Sequence, residues 1–303
     1  MKRKILYLFI AALFLSCKTS PAAKIGEDAL RKLTEVGEFE AFAGGGLLYL
    51  SIDAVNSRPI LDLLTVRGTS GKEAAQILDR TSTVTAALYP AEASQRIFAV
   101  FQGNYPKTIA DLSLKASASW ERRRSETGAD FWRMEDSGLS IAFNDKIIAA
   151  SDADPFLFAT DDAASALVST PKGFDEFRQG AIIAGWFGNN MAAVNALLTA
   201  LETPFEIQAD GLFFSVTLKN SVYYTTLRIE APSENAARSL YQLFSVARLF
   251  GAAAVGEGDF GFLMSALFSN PPERNGASLD LRLAPMDAAQ TVLLFNAFSA
   301  YSH

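Results

Sequence analysis

The stretch GLFFSVTLKNSVYYTTLRIEA, residues 211–231, constrains the fold more than any other part of the chain. Two runs rich in aromatic and β-branched residues are separated by Asn220-Ser221 alone. Only two strands folded back on each other can be joined by so short a turn, because a parallel pair needs a crossover of a dozen residues or more. The same construction occurs earlier, where STVTAALYP and QRIFAVFQG flank the turn AEAS. A third instance places Asn144-Asp145, the end of LSIAFND, between two alternating runs, the second being KIIAASD. Such hairpins commit the chain to antiparallel sheet.

Around these hairpins the order of elements repeats. The first run is a strand in GGGLLYLSIDAV, helices in SRPILDLL and KEAAQILDR, the hairpin, and a helix in YPKTIADLSLKAS. The second is a strand in AIIAGWF, a helix in MAAVNALLTAL, the hairpin, and a helix in SENAARSLYQLFSVARLF. Each run closes with further strands and a helix: DFWRMED, LSIAFND, KIIAASD and DDAASALVS in the first, ASLDLRLA and MDAAQTVLLFNAFSA in the second. The expected class is therefore α+β: two similar halves of antiparallel sheet, 28–172 and 173–303, with helices packed on one face. The seam falls in STPKGFDEFRQG, residues 169–180. A leading helix over 27–40 follows from Leu30, Leu33, Val36 and Phe39 at spacing three. In layout the body resembles a family of exported bacterial proteins with two tandem α+β halves, known as a domain of unknown function. That resemblance carries no site residues.

The N-terminus is a separate matter. Met1-Lys2-Arg3-Lys4 precedes an apolar run from Ile5 to Leu15, then Ser16-Cys17, with no other cysteine in 303 residues. A basic start and a short apolar core form the plan of a secretory signal peptide, and the run is too short for a comfortable membrane span of about 20 residues. The segment resembles a bacterial lipoprotein signal, in which a lipobox ends at the cysteine that becomes lipidated. Ser16 fits that pattern, whereas Phe14 and Leu15 stand where Leu and a small residue are usual. The resemblance implies a signal peptide at 1–16, lipidation at Cys17, and a tether over 17–27. Lys18, in place of an Asp, implies sorting to the outer membrane. Cleavage after Ala22 and retention as an uncleaved anchor are the competing fates. Neither accounts for the solitary cysteine, which lipidation would remove from an oxidising compartment.

Composition narrows the chemistry. Loss of residues 1–16 removes Lys2, Arg3 and Lys4 and makes the net charge of −6 three units more negative. An acidic body lacks the basic footprint of a nucleic-acid binder, so no nucleic-acid partner is expected. The single histidine is His303, at the terminus. Without another histidine or a second cysteine, Ser-His-Asp, Cys-His and common zinc sets cannot be assembled. VRGTSGKE, residues 66–73, has Val66 and Glu73 where a phosphate loop needs Gly and Ser or Thr. Asp152, Asp154, Asp161 and Asp162 could serve a carboxylate enzyme, but Asp161 sits where a helix cap belongs. WERRRSE, residues 120–126, reads as a charged edge hairpin. No catalytic residue, metal or cofactor is expected, and the protein reads as a non-enzymatic binding or scaffolding module of the envelope. The alternative centres on GEGDFGFLMSALFSNPP, residues 256–272. There Phe260, Phe262, Leu263, Met264, Leu267 and Phe268 could form an apolar flap touching lipid, or a short helix packed on the core.

Overall fold

The computed structural model describes residues 21–35, 38–40, 42, 44–65, 71–89, 96–156, 168–188, 209–254 and 259–300. Helix α1 spans Pro21–Glu35, β1 Leu48–Asp53, α2 Arg58–Thr65, α3 Gly71–Leu78, β2 Thr81–Tyr89 and β3 Arg96–Gly103. Then come α4 Lys107–Ala116, β4 Trp120–Arg124, β5 Asp130–Met134, β6 Ser140–Phe143, β7 Ile147–Ser151 and the single turn α5 Phe174–Phe177. The second half carries β8 Ile183–Phe187, β9 Gly211–Lys219, β10 Val222–Glu230, α6 Glu234–Ala254 and α7 Asp259–Leu267. It closes with β11 Glu273–Asn275, β12 Ser278–Arg282 and α8 Ala288–Ala300. The helices expected at DDAASALVS and MAAVNALLTAL lie outside the described residues.

The α+β class is as expected: all described strand pairs are antiparallel, in one twelve-stranded sheet ordered β11-β12-β10-β9-β8-β1-β2-β3-β7-β6-β5-β4. The two runs of strands are fused through β1 and β8, with Leu50 opposite Gly185 and Tyr49 opposite Trp186. Gly185 is required at this join. A Cβ there would lie 2.4 Å from the Tyr49 carbonyl oxygen and 2.6 Å from the Phe214 ring. Asn220 and Ser221 both take positive φ, 52° and 62°, as a two-residue hairpin turn demands.

Strand alternation sorts the sheet into two faces. On the front face, Ile183, Leu212, Phe214, Val216, Leu227, Ile229, Leu279 and Leu281 pack with Ile60 of α2 and with α6, α7 and α8. On the back, Tyr49, Ala87, Phe98, Val100, Ala149, Trp186 and Phe213 pack under Leu30 and Leu33 of α1, Phe39, Phe42 and Phe174. Helices therefore lie on both faces of one sheet, rather than on a single face. Each fully buried Phe or Leu of these cores contributes about 2–3 kcal/mol.

One local expectation is corrected. Helix α1 occupies Pro21–Glu35 rather than 27–40, so residues 21–27, expected as the later part of a tether, are helical. Proline is favoured in a first helical turn, and Phe39 sits instead in a turn that drives it into the back core. The seam is tied down: Phe174 is fully buried and meets Trp186 at 4.7 Å, Phe213 at 5.5 Å and Phe39 at 6.1 Å, all edge-on.

Candidate functional site

On the back face, where the halves meet, a cleft of about 380 Å³ is lined by Glu38, Ser51, Asp53, Thr83, Asp175 and Arg178, among others. Ser51, Asp53 and Thr83 reach it because alternation turns them toward the back, as it does Tyr49. Arg178 follows the α5 turn, and its guanidinium stands over two core rings, 5.7 Å from Phe39 and 5.6 Å from Phe174. It pairs with Glu38 and, at 2.9 Å, with Asp175. Glu38 also accepts from the Ser51 hydroxyl. Partial burial works against the Arg178 charge; the hydrogen bond and charge of Glu38, with those of Asp175, outweigh it and raise its pKa above the usual value. Asp53 accepts from the Val55 and Asn56 amides at 3.1 and 3.0 Å, holding the turn after β1.

The cleft thus has three carboxylates against one guanidinium. Its surplus negative charge suits a cationic or hydrogen-bond-donating group on a ligand and disfavours an anion. Among the described residues no group of three or more His, Cys, Asp or Glu is placed to hold a metal. A second paired set lies along the same face. Arg228 grips Asp280 with two bonds of 2.6 and 2.7 Å and stands 4.9 Å over the Phe177 ring.

The residues singled out in the sequence are dispersed. Cys17, Asp161, Asp162 and His303 lie outside the described residues. Asp152 is exposed after β7, and Asp154 accepts from the Phe156 amide at 2.8 Å. Residues 259–267 form helix α7, against α6 and α8. Met264, Leu267 and Phe268 are buried in the front core and Phe262 is half-buried against it. Phe260 and Leu263 belong to the same helix, with side chains outside the description. Any lipid contact through Met264, Leu267 or Phe268 would require α7 to leave that core. Among the described residues, no helix is long and apolar enough to cross a membrane.

Sequence reasoning missed the cleft. Its one signal was the charged cluster DEFR at 175–178 inside the seam, between Gly173 and Gly180. Nothing in the sequence indicates that Glu38 and Ser51 meet it.

A continuous antiparallel sheet with helices on both faces defines the class of protein. Within that class the chain is similar in fold to TP0453. Crystal form III of TP0453 superposes with a TM-score of 0.59 at 14% identity, covering 86% of this chain and 98% of that one. Crystal form I gives 0.58 at 13%, covering 87% and 98%. At this identity the likeness concerns the fold alone. No protein-family model matches the chain, and no curated protein matches it.

Proposed function

We propose that this is a lipid-anchored cell-envelope protein, held at the outer membrane through Cys17 and acting as a non-enzymatic binding module. The observation that carries the anchor is the placement of the only cysteine directly after a basic start, an apolar run and Ser16. Two or more acyl chains make such an anchor stable, each buried methylene contributing about 0.8 kcal/mol. The cleft supports the binding role. Its charged groups engage one another on rigid strands and on a turn pinned by Phe174, so they are preorganised for a polar or cationic group of a partner.

Substituting Cys17→Ser tests the anchor. Metabolic labelling by palmitate and processing by the lipoprotein signal peptidase are both expected to be lost; unchanged labelling overturns it. A second reading, lipid handling beneath a displaced α7, rests on the apolar run of 260–268. Mass spectrometry of lipid extracted from natively purified protein separates the two, because recovered stoichiometric lipid favours the second reading and none favours the first.

A further inference from the structure

The sheet ends at β4, and among the described residues nothing pairs with its outer edge. The Ser125 amide donates to Ala129 at 2.8 Å and the Glu135 amide to Ser119 at 3.3 Å. With Glu121 opposite Arg133 and Arg123 opposite Phe131, antiparallel alternation turns the odd-numbered residues toward β5. The backbone groups of Trp120, Arg122 and Arg124 therefore face outward.

Three arginines at an edge would ordinarily discourage pairing. Here their order, Trp-Glu-Arg-Arg-Arg, makes one antiparallel self-pairing complementary. Hydrogen bonding requires even-numbered residues to face even-numbered ones across a two-fold axis. Centring on 121 sets Glu121 against its own copy, and centring on 123 sets Arg123 against its own copy. Centring on Arg122 sets Glu121 opposite Arg123 on the back face, extending the pair these two form within one strand into a four-charge set, and Trp120 opposite Arg124 on the front, a cation–π partner. Arg122 then meets its mate with its charge already matched by Asp130 at 2.7 Å.

We infer that this edge is a homodimer interface, in which β4 pairs with a second copy of itself in the register centred on Arg122, extending the sheet across the two-fold axis. The axis, normal to the sheet, preserves its faces. It places α4, the helix that touches β4, and its mate on one side of the joined sheets. Helix α4 buries none of its residues and leaves Ile109 and Leu112 exposed, 63% and 42%. The inference is independent of the anchor and of the cleft.

Sedimentation equilibrium of the full chain in detergent is expected to show a monomer–dimer equilibrium in the micromolar range. Glu121→Arg or Arg123→Glu alone should weaken it about tenfold, since each places like charges opposite one another twice, and the double swap should restore it. All three variants are at exposed positions, and an unchanged thermal midpoint shows that the fold is intact. In a Cys17→Ser background, Arg122→Cys should cross-link to its mate, because Cα atoms of a hydrogen-bonded pair lie about 5.5 Å apart. Glu121→Cys should cross-link poorly. A monomer throughout that range, equal cross-linking at both positions, or a double swap that fails to rescue would each overturn the inference.

Discussion

Phe174 is where the architecture can be tested most severely. It projects from the turn that joins the halves, is fully buried, and touches Phe39, Trp186 and Phe213. These belong to the segment before β1, to β8 and to β9, so one ring ties three parts of the chain together. Truncating a buried Phe to Ala costs about 3–5 kcal/mol, from lost transfer energy and the cavity left behind. Edge-on ring pairs add about 0.5–1.5 kcal/mol each beyond area burial, and three such contacts put Phe174→Ala near the top of that range. Phe174→Leu keeps most of the volume and should cost about 1–2 kcal/mol. The assay is equilibrium urea unfolding in a Trp120→Phe, Trp132→Phe background, followed by Trp186 fluorescence and by far-ultraviolet circular dichroism. Because Trp186 stands 4.7 Å from the deleted ring in a strand at the middle of the sheet, both signals should shift together. A loss below about 1.5 kcal/mol for the Ala variant, or a dichroism transition that shifts without the Trp186 signal, would refute the claim that the seam is pinned to the core.

Three further outcomes are expected. Thr225 is buried in the sheet, and among the described residues its hydroxyl has no hydrogen-bond partner; Thr225→Val should raise stability by about 1 kcal/mol in chemical denaturation. Gly185→Ala should cost about 2–3 kcal/mol by overpacking and lower the thermal midpoint, because the new methyl meets the Tyr49 carbonyl and the Phe214 ring. Burial raises the pKa of Tyr49, Tyr105 and Tyr223, against hydrogen bonds from Gly46 to Tyr49 and between Thr81 and Tyr105 that lower it. The unfolded chain then loses these protons first, so stability holds below about pH 10 and falls as pH rises through the folded values; unfolding monitored across alkaline pH, with Tyr49→Phe as comparison, reads this slope.

Much of this fold is legible locally. The hairpins at 81–103, 140–151 and 211–230 follow from apolar alternation around short turns, and Asn144 accepts from the Lys146 and Ile147 amides as its position suggests. The position of β4 at an edge follows from its charge. What periodicity does not carry is pairing between distant strands. Nothing in LYLSID or IAGWF states that β1 and β8 are neighbours, so the fusion into one sheet is invisible until both faces of those strands are seen to be covered. The sequence places the end of α1 too late because the spacing of Val36 and Phe39 extends a helical pattern into the turn at 38–40. The cleft was illegible for the same reason as the fusion: Glu38, Ser51 and Arg178 are brought together only when the halves close.

The β1–β8 join also has a consequence in time. When the chain enters its folding compartment N-terminus first, β2 is at hand for β1 long before β8 arrives, so one side of Leu48–Asp53 stays bare until Ile183 follows. Pairings this remote along the chain form late, and a bare strand edge is an invitation to neighbouring chains. During that interval the Tyr49 ring lacks the Trp186 ring it finally stacks on at 4.9 Å. The middle of the finished sheet is therefore an edge for part of its history, open until β8 closes it.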